Sequence, residues 1–105
     1  MDRADRDAPA LELSFSGELW YWRGPAPFHF ITVPEEACVA LRAISRVVSY
    51  GWGMIPVKLL IGSSECDTSL FPRDGRYVVP VKDVVRKTEG ITVGDDVTVQ
   101  LTVRS

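Results

Sequence analysis

Cysteine and histidine are scarce in this chain: of 105 residues, 2 are Cys and 1 is His. Cys38 and Cys66 do not form a Cys-x-x-Cys pair, so a dithiol redox centre or zinc knuckle is not expected, and both read as reduced, packed thiols. His29 alone cannot build a His-rich site, and no metal or cofactor is expected. A basic excess is missing as well. Lys plus Arg number 12 against 14 Asp plus Glu, a net charge of −2, whereas proteins that wrap phosphate backbones carry a surplus of positive charge. Nucleic acid is therefore not an expected partner. Long apolar runs are also absent: the uncharged stretch between Arg46 and Lys58 is too short and too rich in Gly and Pro to cross a bilayer. Residues 1–9 alternate Asp and Arg without an apolar segment behind them, which is not the pattern of a signal or transit peptide. The expectation is a cytoplasmic protein without membrane contact, a monomer or weak dimer.

What is present is the composition of one ordinary folded unit, 46% hydrophobic and 25% charged. A chain of this size buries roughly 60–70% of its unfolded surface, enough for a core without disulfides. Residues 1–10 read as a disordered polar tail and residues 11–105 as a single domain. Leu11, Leu13, Phe15, Leu19 and Tyr21 alternate with Glu12, Ser14, Ser16, Glu18 and Trp20, the period of a strand with one face on a core, and Gly17 is a candidate bulge. A loop at residues 23–27 precedes a second strand, Phe28 to Val33. Ile55, Val57, Leu59 and Ile61 mark a third strand, paired through Gly62-Ser63-Ser64 with a fourth, Glu65 to Leu70. Pro72-Arg73-Asp74-Gly75 has turn residues, and a fifth strand over Arg76 to Val79 ends at Pro80. Val97, Val99, Leu101 and Val103 alternate in a sixth.

Two helices are expected between these strands. Pro34-Glu35-Glu36 suits a helix start, Ala37, Leu41, Ile44 and Val48 recur at helical spacing, and Gly51 and Gly53 mark the end. The second places Val81, Val84, Val85 and Thr88 on one face, with Gly90 as its stop. Val33-Pro34 and Val79-Pro80 each precede a helix, which suggests two related halves. Short strands with little helix favour a small closed barrel that leaves no exposed edge, so the fold class is mainly β.

The segments GELWYW (17 to 22), PFHFITVP (27 to 34), VKLLIG (57 to 62), TSLFPRDGRYVVPVK (68 to 82) and VRKTEGITVGDDVTVQL (85 to 101), in this order, resemble the bacterial domain-of-unknown-function family nineteen-oh-five. The likeness runs from about Leu11 to Val103. It implies a six-stranded double-split β-barrel capped by two short helices, and a family with no established activity. Some relatives carry a bacteriocin-protection domain beside it. The Gly62-Ser63-Ser64 turn and Cys66 depart from the usual pattern. Residues 75 to 99 are similar, at the level of fold, to the swapped-hairpin units of AbrB-like regulators.

Alternation places Glu18, Trp20 and Trp22 opposite the Leu13, Phe15 and Leu19 face. Two readings stand: an exposed aromatic cradle beside a carboxylate, or core residues buried by a Gly17 bulge or helix cover. Trp52 lines a mouth or caps the barrel. Thr68, Ser69, Arg73, Arg76, Lys82, Arg86 and Lys87 offer hydroxyls and positive charge for an anion if they converge, or a solvated surface compensated by Asp67, Asp74, Asp83 and Glu89. Ser69 as a nucleophile has only His29 for a base and lacks a third group. Gly51-Trp52-Gly53 lacks the spacing of a phosphate-binding loop. The expected function is a non-catalytic domain binding a small ligand or protein partner, with Glu18, Trp20, Trp22, Ser69, Arg76 and Arg86 as candidate ligand contacts. The alternatives are an AbrB-like DNA-binding regulator and a small enzyme with its site near Glu18 and Ser69.

Overall fold

The cleanest alternation in the sequence is realised as a strand whose Val97, Val99, Leu101 and Val103 are buried while Asp96, Thr98 and Gln100 face out. The computed structural model describes residues 11–24 and 28–103, and the expected tail over residues 1–10 lies outside the described residues, as does part of the first loop. Six strands are formed: β1 (Leu11–Trp22), β2 (Phe28–Thr32), β3 (Ile55–Ile61), β4 (Ser64–Arg73), β5 (Arg76–Val81) and β6 (Asp96–Val103). Helix α1 (Glu35–Val48) joins β2 to β3, and α2 (Asp83–Glu89) joins β5 to β6. The strands close in the order β1, β2, β5, β4, β3, β6, every pair antiparallel. The fold is mainly β, as expected.

Closure depends on two strands that change neighbours along their length. In β1, Leu11 to Glu18 pair with β6, and Leu19 to Trp22 pair with β2. In β4, Ser64 to Leu70 pair with β3, and Phe71 to Arg73 pair with β5. Each hand-off bends the sheet and leaves no long unpaired edge. The interior is filled by Leu19, Ile31, Leu41, Ile55, Leu59, Leu70, Val79, Val99, Leu101 and Val103. Burying each such side chain is worth about 1.5–3 kcal/mol against leaving it in water.

Gly17 is not a bulge. It stays in unbroken register opposite Val97, and a Cβ at this position would stand 2.7 Å from Ile31 Cγ2 and 3.1 Å from the Thr32 carbonyl. The glycine lets β1 approach β2 closely. Pro56, Pro72 and Pro80 all lie inside strands, so β5 runs past the expected end at Val79. Each of these prolines is paired on one side only, with Ser69, Tyr77 and Phe30 respectively, where a missing N–H costs no ladder bond. β4 also reaches Arg73, beyond Leu70, because Asp74 and Gly75 with φ of 51° and 78° make a two-residue turn that pairs Arg73 with Arg76.

Helix α1 stops at Val48, short of Gly51, because Ser49 turns extended and Tyr50 bridges to Met54. Its Ala37, Cys38, Leu41 and Val48 pack on the barrel. Glu35 holds Arg42 and Arg76, and Arg42 donates to the Gly75 carbonyl, tying the helix to the β4–β5 turn. In α2 the expected face is corrected: Val81 belongs to β5, Val84 and Thr88 are exposed, and Val85 is the buried residue. Pro34 caps α1 whereas Pro80 is a strand residue, so the two Val-Pro steps have different roles and the half-repeat does not hold there.

Candidate functional site: an aromatic cleft on the outside of the barrel

The β1, β2, β5 and β4 registers bring the outward residues of four strands together. Trp20 stands opposite Phe30 and Trp22 opposite Phe28, Phe30 meets Pro80, and Val78 lies between Thr32 and Phe71. Ring centroids are 5.2 Å apart for Trp20 and Phe30, 5.8 Å for Phe28 and Phe30, and 6.4 Å for Phe30 and Phe71. Tilted and edge-on contacts at such separations are favourable for aromatic pairs. Phe30 and Val78 are only 5% and 3% exposed, yet neither belongs to the interior cluster. They are covered from outside by the other rings, which form a second apolar layer on the barrel wall.

Arg73 completes this layer. Its guanidinium carbon lies 5.7 Å from the ring centroids of both Trp20 and Trp22, within the range of cation–π attraction. Trp20 is fixed from the other side by its Nε1–H, which donates to Thr32 Oγ1 at 3.0 Å. A Cβ on Gly24 would clash with the Trp22 ring, so this glycine lets the indole fold over the following backbone. Trp22, Phe28, Phe30, Phe71, Val78 and Arg73 then line an open cleft of about 220 Å³. Its walls are flat and apolar, and among the described residues its one charged side chain is a cation.

A larger cavity of about 380 Å³ opens beside the end of β3 and the start of β6, among Ile61, Glu89, Ile91, Asp95, Asp96 and Val97. Two of its three carboxylates, Glu89 and Asp95, are already engaged. Glu89 accepts from Ser64 at 2.6 Å, and the Ser64 hydroxyl is the main reason its carboxyl titrates below the ordinary glutamate value. Asp95 accepts from the Thr92 N–H and hydroxyl. Among the described residues no group of three or more His, Cys, Asp or Glu is arranged to hold a metal ion.

The family described as Domain of unknown function (DUF1905) matches this chain over residues 15–101. The chain belongs to the DUF1905 family. No curated protein matches it. The match lies within the span over which the sequence resembles that family, and the closed six-stranded barrel with two helices agrees with the fold the resemblance implied.

Of the candidate contacts in this DUF1905 domain, the structure brings only Trp20 and Trp22 together. Neither reading of them holds entirely: they face outward as alternation requires, and they are half-buried by other rings, not by a bulge or a helix. Glu18 is paired with Asp96 on β6, at the acidic end. Ser69 Oγ lies 2.8 Å from Tyr50 Oη. Arg76 faces Glu35 at 3.5 Å and Arg86 faces Asp83 at 3.4 Å, so the basic residues of the second half hold separate local partners instead of converging. His29 lies 3.9 Å from Asp83 and stacks near Tyr21, on β2. The set of Glu18, Ser69 and His29 is thus spread over three strands. Burial pushes the Cys66 thiol up, which keeps it protonated near neutral pH.

Trp52 is a second correction. It neither caps the barrel nor lines a mouth but is 94% exposed, carried on a turn that the left-handed Gly51 and Gly53 (φ 55° and 90°) permit. Phe28, Phe30, Phe71 and Val78 are cleft residues not named as ligand contacts, and Arg73 was named only among cations that could converge on an anion. The period-two spacing of Phe28 and Phe30 was the available signal, because it places both rings on one strand face.

Proposed function

We propose that this DUF1905 domain is a non-catalytic binding module whose ligand seat is the outer aromatic cleft. The observation that carries the reading is an outer layer of half-buried Trp20, Trp22 and Phe71 with the 45% exposed Phe28, its tryptophans under a guanidinium, on a barrel whose interior core is already complete. Aromatic surface left in water adds nothing to folding, whereas covering it with a ligand gains about 25 cal/mol per Å² of apolar area. The separate pairing of Arg42, Arg76 and Arg86 with acidic neighbours supports a small ligand over a phosphate backbone. Ser69 and His29 hold separate partners, Tyr50 and Asp83, and Glu18 stands opposite Asp96, which supports binding without catalysis.

Chemical-shift mapping with a mixed set of small aromatic compounds tests the reading. Perturbed amides clustered on Trp22, Phe28, Phe71, Arg73 and Val78 are expected. Perturbations confined to the cavity of Glu89, Asp95 and Asp96 would overturn it.

A further inference from the structure

The chemistry of the cleft narrows the ligand, on the premise that the cleft is the seat. We infer that it accepts a planar aromatic carboxylate of one or two rings, with the ring between Trp22, Phe28 and Phe71 and the carboxylate on Arg73.

Three observations support this. The first is size: about 220 Å³ lies below the roughly 300–1,000 Å³ of sites that enclose drug-sized ligands. A benzene or indole ring suits this volume, and a polymer segment would touch little of its depth. The second is shape. The lining is made of flat rings contributed by β1, β2 and β4, closely spaced and tilted against one another. Flat apolar walls gain most from a flat apolar guest, which meets them in stacked or edge-on contact.

The third is charge. Among the described residues Arg73 is the only ionic group lining the cleft. Its one ionic partner among the described residues is Asp74, with Nε 3.8 Å from a carboxylate that is 90% exposed. That separation is too long for a hydrogen bond and the pair is open to water, so its attraction is weak. The guanidinium is nevertheless held in place, because Trp20 and Trp22 both lie beneath it. A planar fork of N–H donors, fixed by its neighbours and without a close acceptor, matches a carboxylate in two parallel hydrogen bonds. A cationic guest would be repelled, and a neutral ring would gain stacking alone.

The test compares indole-3-carboxylate, indole and tryptamine on the wild-type chain, reading the indole Nε1–H resonances of its 3 tryptophans. The carboxylate is expected to shift Trp20 and Trp22 saturably while Trp52 stays in place as an internal reference. Indole is expected to bind at least about ten-fold more weakly, and tryptamine more weakly still, since each ten-fold corresponds to one lost favourable interaction of about 1.4 kcal/mol. Arg73→Gln should reduce the carboxylate to the affinity of indole, and Arg73→Lys, which keeps the charge without the fork, should fall between. Equal binding of indole and its carboxylate would overturn the ligand class and leave the cleft as a seat for neutral rings. Absence of any shift at Trp20 and Trp22 with all three compounds would remove the cleft itself.

Discussion

Leu19 and Trp20 are adjacent in the chain and face opposite sides of one barrel wall: Leu19 is fully buried in the interior, and Trp20 stacks on Phe30 in the outer aromatic layer. This step is also where β1 passes from its pairing with β6 to its pairing with β2. The same short segment therefore closes the barrel and builds the cleft. Substitutions inside and outside the wall should separate the two roles.

Leu19→Ala opens a cavity in the closed interior and should cost about 2–5 kcal/mol of stability, the range for removing a buried Leu side chain. Trp52→Ala removes a larger side chain that is 94% exposed and should change stability by no more than about 0.5 kcal/mol. Urea unfolding of both variants, compared at equal m-value, checks the pair.

Gly17→Ala places a methyl group against Ile31 and the Thr32 carbonyl. Overpacking of this kind should cost about 1–3 kcal/mol, and the melting temperature should fall by roughly 4–8 °C for each kcal/mol in a domain of this size. A position with room for a Cβ would instead tolerate alanine without loss.

Much of the fold was legible in the sequence because alternation depends on one strand at a time. The inward Val and Leu positions of β3 and β6 follow from that periodicity alone. Pairing does not. That β1 and β4 each serve two neighbours is a property of the closed sheet, and no local pattern within either strand records it. The site was half legible for the same reason. Trp20 and Trp22 were recognisable as outward residues, but Phe28, Phe30, Phe71 and Arg73 join them only through the registers of β2, β5 and β4. Trp52 was misread because an aromatic between glycines suggests packing, whereas the left-handed turn projects it into water.

Glu89 links α2 to the β3–β4 turn through Ser63 and Ser64, and Glu35 links α1 to β5 through Arg42 and Arg76. Both carboxyls titrate below the ordinary glutamate value, Glu35 chiefly through Arg42 and Glu89 chiefly through Ser64. A lowered folded value means that the stabilisation is in place above the unfolded value, about 4.3, and is lost as pH falls through the folded value beneath it. Glu89→Gln should therefore be less stable than wild type at pH 7, and the gap should close at pH 3. Denaturant titrations at both pH values measure the gap, and a gap that widens in acid would contradict this account.

A cation above half-exposed tryptophans should attract small anions to them. In a Trp52→Phe background, iodide is expected to quench the remaining tryptophan fluorescence more efficiently than caesium at equal ionic strength. Arg73→Gln should remove most of that preference. Salt weakens the field over distances of about 10 Å at 0.1 M, so the contrast should shrink as inert salt is added.

The central claim is that the outer aromatic layer serves binding more than folding, and Phe28→Ser tests it most directly because Phe28 forms the cleft wall opposite Trp22 while remaining 45% exposed. Stability and indole-3-carboxylate affinity should be measured on the same preparation. The account predicts a loss of less than about 1 kcal/mol in unfolding together with at least a ten-fold weakening of binding, about 1.4 kcal/mol. A loss of several kcal/mol in stability with unchanged affinity would contradict it, and would make the layer a structural coat on the barrel.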